Sequence, residues 1–229
     1  YWEEVPNGKK RSILYVSIAN EVPASGVSLP KAIQSVKEAQ TAGSEKLRKQ
    51  TQQWWHAYHE RSYISIPDKK LENFYFIQMY KLGTCSRPDG PAIDLMGPFF
   101  KLSQWPSYWW NLNIQLTYMP VYPANRLEQG ENFLHLMDEV FVPLIHALTP
   151  AKIGDYTWAL QNYVQHLQYA GADWTEIKQR FLPKATEALG IYREILHQED
   201  GTWHLYPIES PEYEGFKTYK DSNYGLASL

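Results

Sequence analysis

Residues 155–169 read DYTWALQNYVQHLQY, and residues 127–148 ahead of them read LEQGENFLHLMDEVFVPLIHAL. In the second stretch Phe133, Leu134, Met137, Phe141, Leu144 and Leu148 recur at the three- and four-residue spacing that gathers side chains on one side of a helix. Trp158, Leu160, Tyr163 and Leu167 do the same in the first, and Gly171 closes it. Two such helices joined by a few residues hide their apolar stripes by packing as antiparallel neighbours. Pro143 is expected to kink the earlier one.

The same pattern extends in both directions. Downstream, Asp173 is placed to cap a helix running to about Leu196 through Ile177, Phe181, Leu189, Tyr192 and Ile195. Upstream, a helix is expected from Trp109 to Met119, ended by Pro120 and Pro123. Another follows an Asp68 cap, carrying Leu71, Phe74, Tyr75, Met79 and Leu82 and stopping at Gly83. Ser28 and Pro30 open a long helix to about Arg61, with Gly43 a point where it can break, and residues 11–18 read as a strand. Between these elements the breaker-rich stretch 85–106 and the tail 197–221 read as long loops, and loops of that length carry function more often than not. The expected fold is mainly α: helix hairpins in series forming a toroid, with long loops 83–108 and 197–221 at the same end. A short β segment (residues 1–27) ends a β-domain or forms a linker strand before the helical domain, residues 28–229.

Composition narrows the partners. With 22 basic and 25 acidic residues and a net charge of -3, the chain offers no basic field for a phosphate backbone, so nucleic acid is not expected. No apolar run approaches the ~20 residues of a membrane span. The single cysteine, Cys85, cannot form an internal disulfide and reads as an inert thiol. The anomaly is aromatic: nine Trp, 17 Tyr and eight Phe, rings that pair a flat apolar face with a polar edge and so suit sugars as well as cores.

Two blocks carry candidate chemistry. Ser107-Tyr108-Trp109-Trp110-Asn111-Leu112-Asn113 sets two amides, which both donate and accept hydrogen bonds, beside three consecutive rings. The plain alternative is a helix start with asparagine caps and a packed aromatic cluster, and the two readings weigh equally. After the turn dipeptide Asp200-Gly201 comes Thr202-Trp203-His204-Leu205-Tyr206-Pro207-Ile208-Glu209-Ser210-Pro211-Glu212-Tyr213. Glu212, just past a proline among aromatics, is placed where partial desolvation raises a carboxyl toward proton-donor range, although most such glutamates are helix first-turn residues or solvated loop charges. Asp221 and Glu199 read as solvated loop charges. His56 and His59 lack a third ligand at helical spacing, so no metal is expected there. No cofactor is expected, and nucleotide-binding and serine-hydrolase fingerprints are absent from the sequence.

Taken together, the blocks resemble family 95 of the glycoside hydrolases. The likeness rests on Asn111-x-Asn113-x-Gln115-x-x-Tyr118-x-Pro120 after a tryptophan and Ser210-Pro211-Glu212 some way later. The Trp54-Trp55-His56-Ala57-Tyr58-His59 helix and the Tyr80-Lys81-Leu82-Gly83 helix end followed by Ser86-Arg87-Pro88 add to it. It covers most of residues 11–229. It departs where the family's Gln-Met-Asn-Tyr-Trp-Pro is Gln115-Leu116-Thr117-Tyr118-Met119-Pro120, and where a His- and Asp-containing stretch is missing near residue 150. The resemblance implies a secreted or periplasmic enzyme with an (α/α)6 barrel behind a β-sandwich, hydrolysing α-L-fucosides or related sugars with inversion. It implies Glu212 as general acid, and Asn111 and Asn113 as the residues that hold the attacking water with a distant aspartate as base. Trp109, Trp110, Tyr108, Trp203, Glu209 and Arg87 are the expected substrate-binding set. It further implies a barrel that stops before the base, so that apolar helix faces would await the remainder of the barrel. A sugar-binding protein without chemistry and a helical interaction scaffold are the alternatives.

Overall fold

The computed structural model describes residues 1–21, 24–99, 105, 107–210, 214–215 and 217–229. It divides into two compact units, Tyr1–Glu60 and Arg61–Leu229, so the helices of the expected 28–61 span group with the N-terminal strands.

In the first unit, β1 (Trp2–Pro6) pairs antiparallel with β2 (Ser12–Val16), Trp2 opposite Val16 and Pro6 opposite Ser12. Only β2 was expected. The long helix does break at Gly43, giving α1 (Ser28–Ala42) and α2 (Ser44–Glu60). Gly43 takes φ +79°, a left-handed turn that glycine makes without a Cβ penalty, while its N–H still bonds the Ala39 carbonyl at 3.0 Å. Ser28 is not the cap. The Glu21 carboxylate accepts from Val27 N–H and Ser28 N–H at 2.9 and 3.2 Å, and with the Ser25 hydroxyl as the largest cause its pKa falls to about 2. Along α2, Trp54 stacks on Tyr58 (5.1 Å between centroids) and Trp55 on His59 (5.6 Å).

The second unit is built on α3 (Lys69–Cys85), α4 (Asn113–Tyr118), α5 (Glu131–Ala147), α6 (Ile153–Tyr169) and α7 (Trp174–Glu194). Asp68 caps α3 by accepting from Lys70 N–H and Leu71 N–H at 2.9 and 3.2 Å, and Asp173 caps α7 by accepting from Glu176 N–H at 2.8 Å. Instead of stopping at Gly83, α3 runs through it. Ser86 at its end donates its N–H to the Leu82 carbonyl (3.1 Å) and its hydroxyl to the Gln129 carbonyl (2.6 Å), so a tertiary contact draws out the last turn. A 3-10 turn, Leu127–Gly130, leads into α5, and Pro143 lies inside that helix. The core is Phe133, Leu134, Met137, Phe141 and Ile145 of α5 against Ala159, Tyr163 and Leu167 of α6 and Ile177, Ala188 and Tyr192 of α7. Each of the large aliphatic and phenylalanine side chains among these contributes about 1.5–3 kcal/mol of transfer free energy. Asp138 of α5 ties the three helices: it accepts from Lys184 Nζ (2.6 Å), Tyr163 OH (2.5 Å) and Arg180 (3.0 Å). Burial alone would push Asp138 up, and those three donors together hold it below the usual range.

The tail is not the plain loop expected over 197–221. β3 (Leu196–Glu199) pairs with β4 (Thr202–Leu205), β5 (Ile208–Glu209) with β6 (Thr218–Tyr219), and α8 (Asn223–Ser228) follows. Asp200 and Gly201 both take positive φ, +47° and +78°, as a two-residue hairpin loop of the Asp-Gly type requires. Asp221, expected to be a free charge, accepts from His204 Nδ1 (2.6 Å) and Leu205 N–H (2.8 Å), pinning the segment ahead of α8 to β4. Among the described residues the protein is mainly helical, with eight α-helices and three two-stranded antiparallel sheets, and no helix is long and apolar enough to cross a membrane.

Candidate functional site

Where the sequence led one to expect a helix from Trp109, the chain first makes a tight turn. Leu112 sits at φ 66°, ψ -52°, and Asn113 N–H bonds the Asn111 carbonyl at 2.7 Å, which is a γ-turn of the rare positive-φ kind. A non-glycine residue there is strained, and such strain gathers at working sites. The turn delays α4 to Asn113 and presents Asn111 and Asn113 to one hollow. Buried Gln115 braces it, donating through Nε2 to the Trp110 carbonyl and to the Asp155 carbonyl (2.9 Å), while Asn162 Nδ2 donates to the Gln115 backbone carbonyl at 3.0 Å. The bases of α4 and α6 are thereby locked together.

That hollow has a volume of about 640 Å³. Tyr108, Trp109, Trp110, Asn111 and Asn113 line it from the turn, Lys152 from just ahead of α6, Asp155 and Tyr156 from its first turn, and Glu209 from β5. Trp105 and Ser107, from the first long loop, complete the wall, so both loops expected to meet do contribute. Trp109 meets Trp105 edge-on (5.5 Å) and Trp110 meets Tyr156 at a tilt (5.5 Å). Hollows of about 770 Å³ along α1 and 670 Å³ beside α6 and α7 are larger. The first has no aromatic ring and the second no charged side chain, so neither joins flat apolar faces to carboxyls.

The electrostatics centre on Asp155, in the first turn of α6. Its Oδ1 accepts from the Tyr224 hydroxyl of α8 at 2.5 Å, an approach open only because residue 154 is glycine: a Cβ there would lie 2.8 Å from the Tyr224 ring. Burial is the largest influence and pushes the Asp155 carboxyl up to about 6; the Tyr224 hydrogen bond lowers it, Glu209 raises it and Lys152 lowers it. Burial and the same hydrogen bond push Tyr224 upward too, so the shared proton stays on the phenol. Lys152 Nζ stands 3.9 Å from Glu209, whose side chain is mostly buried.

Of the expected site residues, Asn111, Asn113, Tyr108, Trp109, Trp110 and Glu209 share this hollow. Two do not line it. Trp203, at the second position of β4, is 60% exposed. Arg87 pairs with Asp89 (3.1 Å) in open solvent. Glu212, the expected acid, lies outside the described residues. Asp155, Lys152 and Tyr224 were missed, since an aspartate in a helix's first turn reads as ordinary dipole compensation. The signal that could have found them was the apolar company of Asp155, with Ile153 and Tyr156 beside it. No protein family, curated protein or solved structure matches the chain.

Proposed function

We propose that the hollow binds a sugar residue of an oligosaccharide or polysaccharide and that the protein is a glycoside hydrolase acting on α-L-fucosides or related sugars. The observation that carries this reading is the convergence of three indole rings, two amides and two carboxyls on one cavity of about 640 Å³. Indole faces stack on the C–H face of a pyranose, while amides and carboxylates take its hydroxyls. Such a pocket, largely apolar with few polar groups, has the make-up of a small-ligand site.

In the mechanism this reading implies, Asn111 and Asn113 hold a water and Glu212 protonates the leaving oxygen. Inversion asks for an acid and a base about 6.5–9.5 Å apart, with the water between. The scaffold this reading implies is an (α/α)6-type barrel, of which α5, α6 and α7, each packed on the other two, would form part. The test is a titration with a fucosylated oligosaccharide while tryptophan fluorescence is followed, together with aryl α-L-fucoside hydrolysis by wild type and Glu212→Gln. Binding with hydrolysis that collapses in the variant is expected. Silence in the titration would turn the reading toward a helical scaffold, and equal hydrolysis by both proteins would remove Glu212 as the acid.

A further inference from the structure

The hollow contains more acid–base machinery than the proposed reaction names. Asp155 and Glu209 stand in the same wall as the amide pair, but in unlike surroundings. Glu209 has an ammonium, Lys152, at 3.9 Å. Among the described residues only Tyr224 bonds the Asp155 carboxyl, and it takes one oxygen, Oδ1. The ionisable groups that act on Asp155 from the packed elements are Lys152 ahead of α6, Glu209 of β5 and Tyr224 of α8, while Asp155 in turn acts on Tyr156 of its own helix and Tyr192 of α7. Among the described residues Lys152 is the cation in that company. When two carboxyls share a site and their environments differ this way, their roles divide.

We infer that Asp155 is a catalytic residue that accepts a proton from the attacking water, and that Tyr224 of α8 is the positioning residue that holds it to that task. The inference rests on the sugar-hydrolase reading. A carboxylate whose proton affinity is raised toward neutrality is both ionised at pH 7 and a stronger base than one in the ordinary range. Burial supplies that rise, and the Tyr224 hydrogen bond limits it so that the ionised form persists. In the step, a water held by Asn111 and Asn113 gives one proton to Asp155, its oxygen bonds the anomeric carbon, and the glycosidic C–O bond breaks with its electron pair going to the leaving oxygen. That oxygen takes the proton of the general acid. Asp155 ends protonated and the acid ionised, and exchange with solvent restores both.

The experiment compares wild type, Asp155→Asn and Tyr224→Phe, using the full chain, for binding of a fucosylated oligosaccharide by tryptophan fluorescence and for aryl α-L-fucoside hydrolysis between pH 4.5 and 8. Asp155→Asn should bind within a few-fold of wild type yet hydrolyse about 100-fold or more slowly, the scale of a lost general base. In Tyr224→Phe the hydroxyl that favours the ionised carboxyl is gone, so the acid limb of the kcat profile should move to higher pH with KM little changed. Hydrolysis by Asp155→Asn at the wild-type rate with an unshifted acid limb overturns the inference while leaving sugar binding intact. Wild type that binds without hydrolysing overturns it as well, and a chain that binds no sugar overturns the underlying reading with it.

Discussion

At Asp155 the fold keeps a carboxyl whose charged form it disfavours, burial being the chief cause. Its folded pKa of about 6 lies above the ordinary 3.8, so the folded state holds the proton more tightly than the unfolded chain. The stability this contributes is complete below the unfolded value and is lost as pH rises through about 6. The gap between the folded and unfolded proton affinities is worth about 3 kcal/mol at most, and partial solvent screening reduces that to about 1–2 kcal/mol. Asp155→Asn, which keeps an acceptor for Tyr224, should therefore raise Tm by about 2–8 °C at pH 8 and leave it nearly unchanged at pH 4.5, read from thermal melts. A gain in stability coupled to a loss of activity is the mark of a group kept for function rather than for folding. Leu112 is the second residue held at a cost. Its φ of 66° is tolerated poorly by any β-branched side chain, so Leu112→Val should destabilise by about 1–3 kcal/mol, more than its lost methylene accounts for, and weaken sugar affinity by misplacing both asparagines. The rings and amides of residues 108–113 were legible as a site because unlike chemistries sit side by side there. Asp155 was not, because its partner Tyr224 arrives from 69 residues away.

The short helix α8 is attached by two close approaches. A Cβ on Gly154 would meet the Tyr224 ring at 2.8 Å, and one on Gly225 would meet Ile208 Cγ1 at 2.7 Å. Gly154→Ala should push Tyr224 off Asp155 and cost about 1–3 kcal/mol of overpacking strain. Urea melts would register the cost, and the acid limb of activity would move up as in Tyr224→Phe; an unchanged limb would mean Tyr224 does not set Asp155. The helices α5, α6 and α7 could be read from periodicity because each presents one continuous apolar stripe to a common core. Elements fixed by contact rather than by pattern could not. Nothing in Leu196-His197-Gln198-Glu199 alternates strongly enough to announce β3, which exists through its pairing with β4. The end of α3 follows Ser86 to a carbonyl on Gln129, and the start of α4 follows the turn at Leu112, both invisible to propensity.

Across the whole molecule, apolar burial is distributed unevenly. The hydrophobic core, from Leu82 to Ile208, lies entirely within Arg61–Leu229. Among the described residues of Tyr1–Glu60 the buried apolar ones are Ala32, Val36 and Tyr58, while Trp2, Leu14, Val16 and Leu29 remain exposed. Helices of 15 and 17 residues are marginal in water on propensity alone, and an isolated two-stranded hairpin is no better. Local opening free energy follows apolar burial, so exchange should be graded along the chain. Backbone amides of β1, β2 and α1 are expected to exchange within minutes at neutral pH, and those of α5, α6 and α7 over hours, as followed by hydrogen–deuterium exchange with peptide-level mass analysis. Because Asp138 clamps α5 to α7 through Lys184 and Arg180, Asp138→Asn should speed exchange in both helices together while leaving α1 unaffected. Equal protection of residues 1–60 and 61–229 would show that something other than the buried core governs opening.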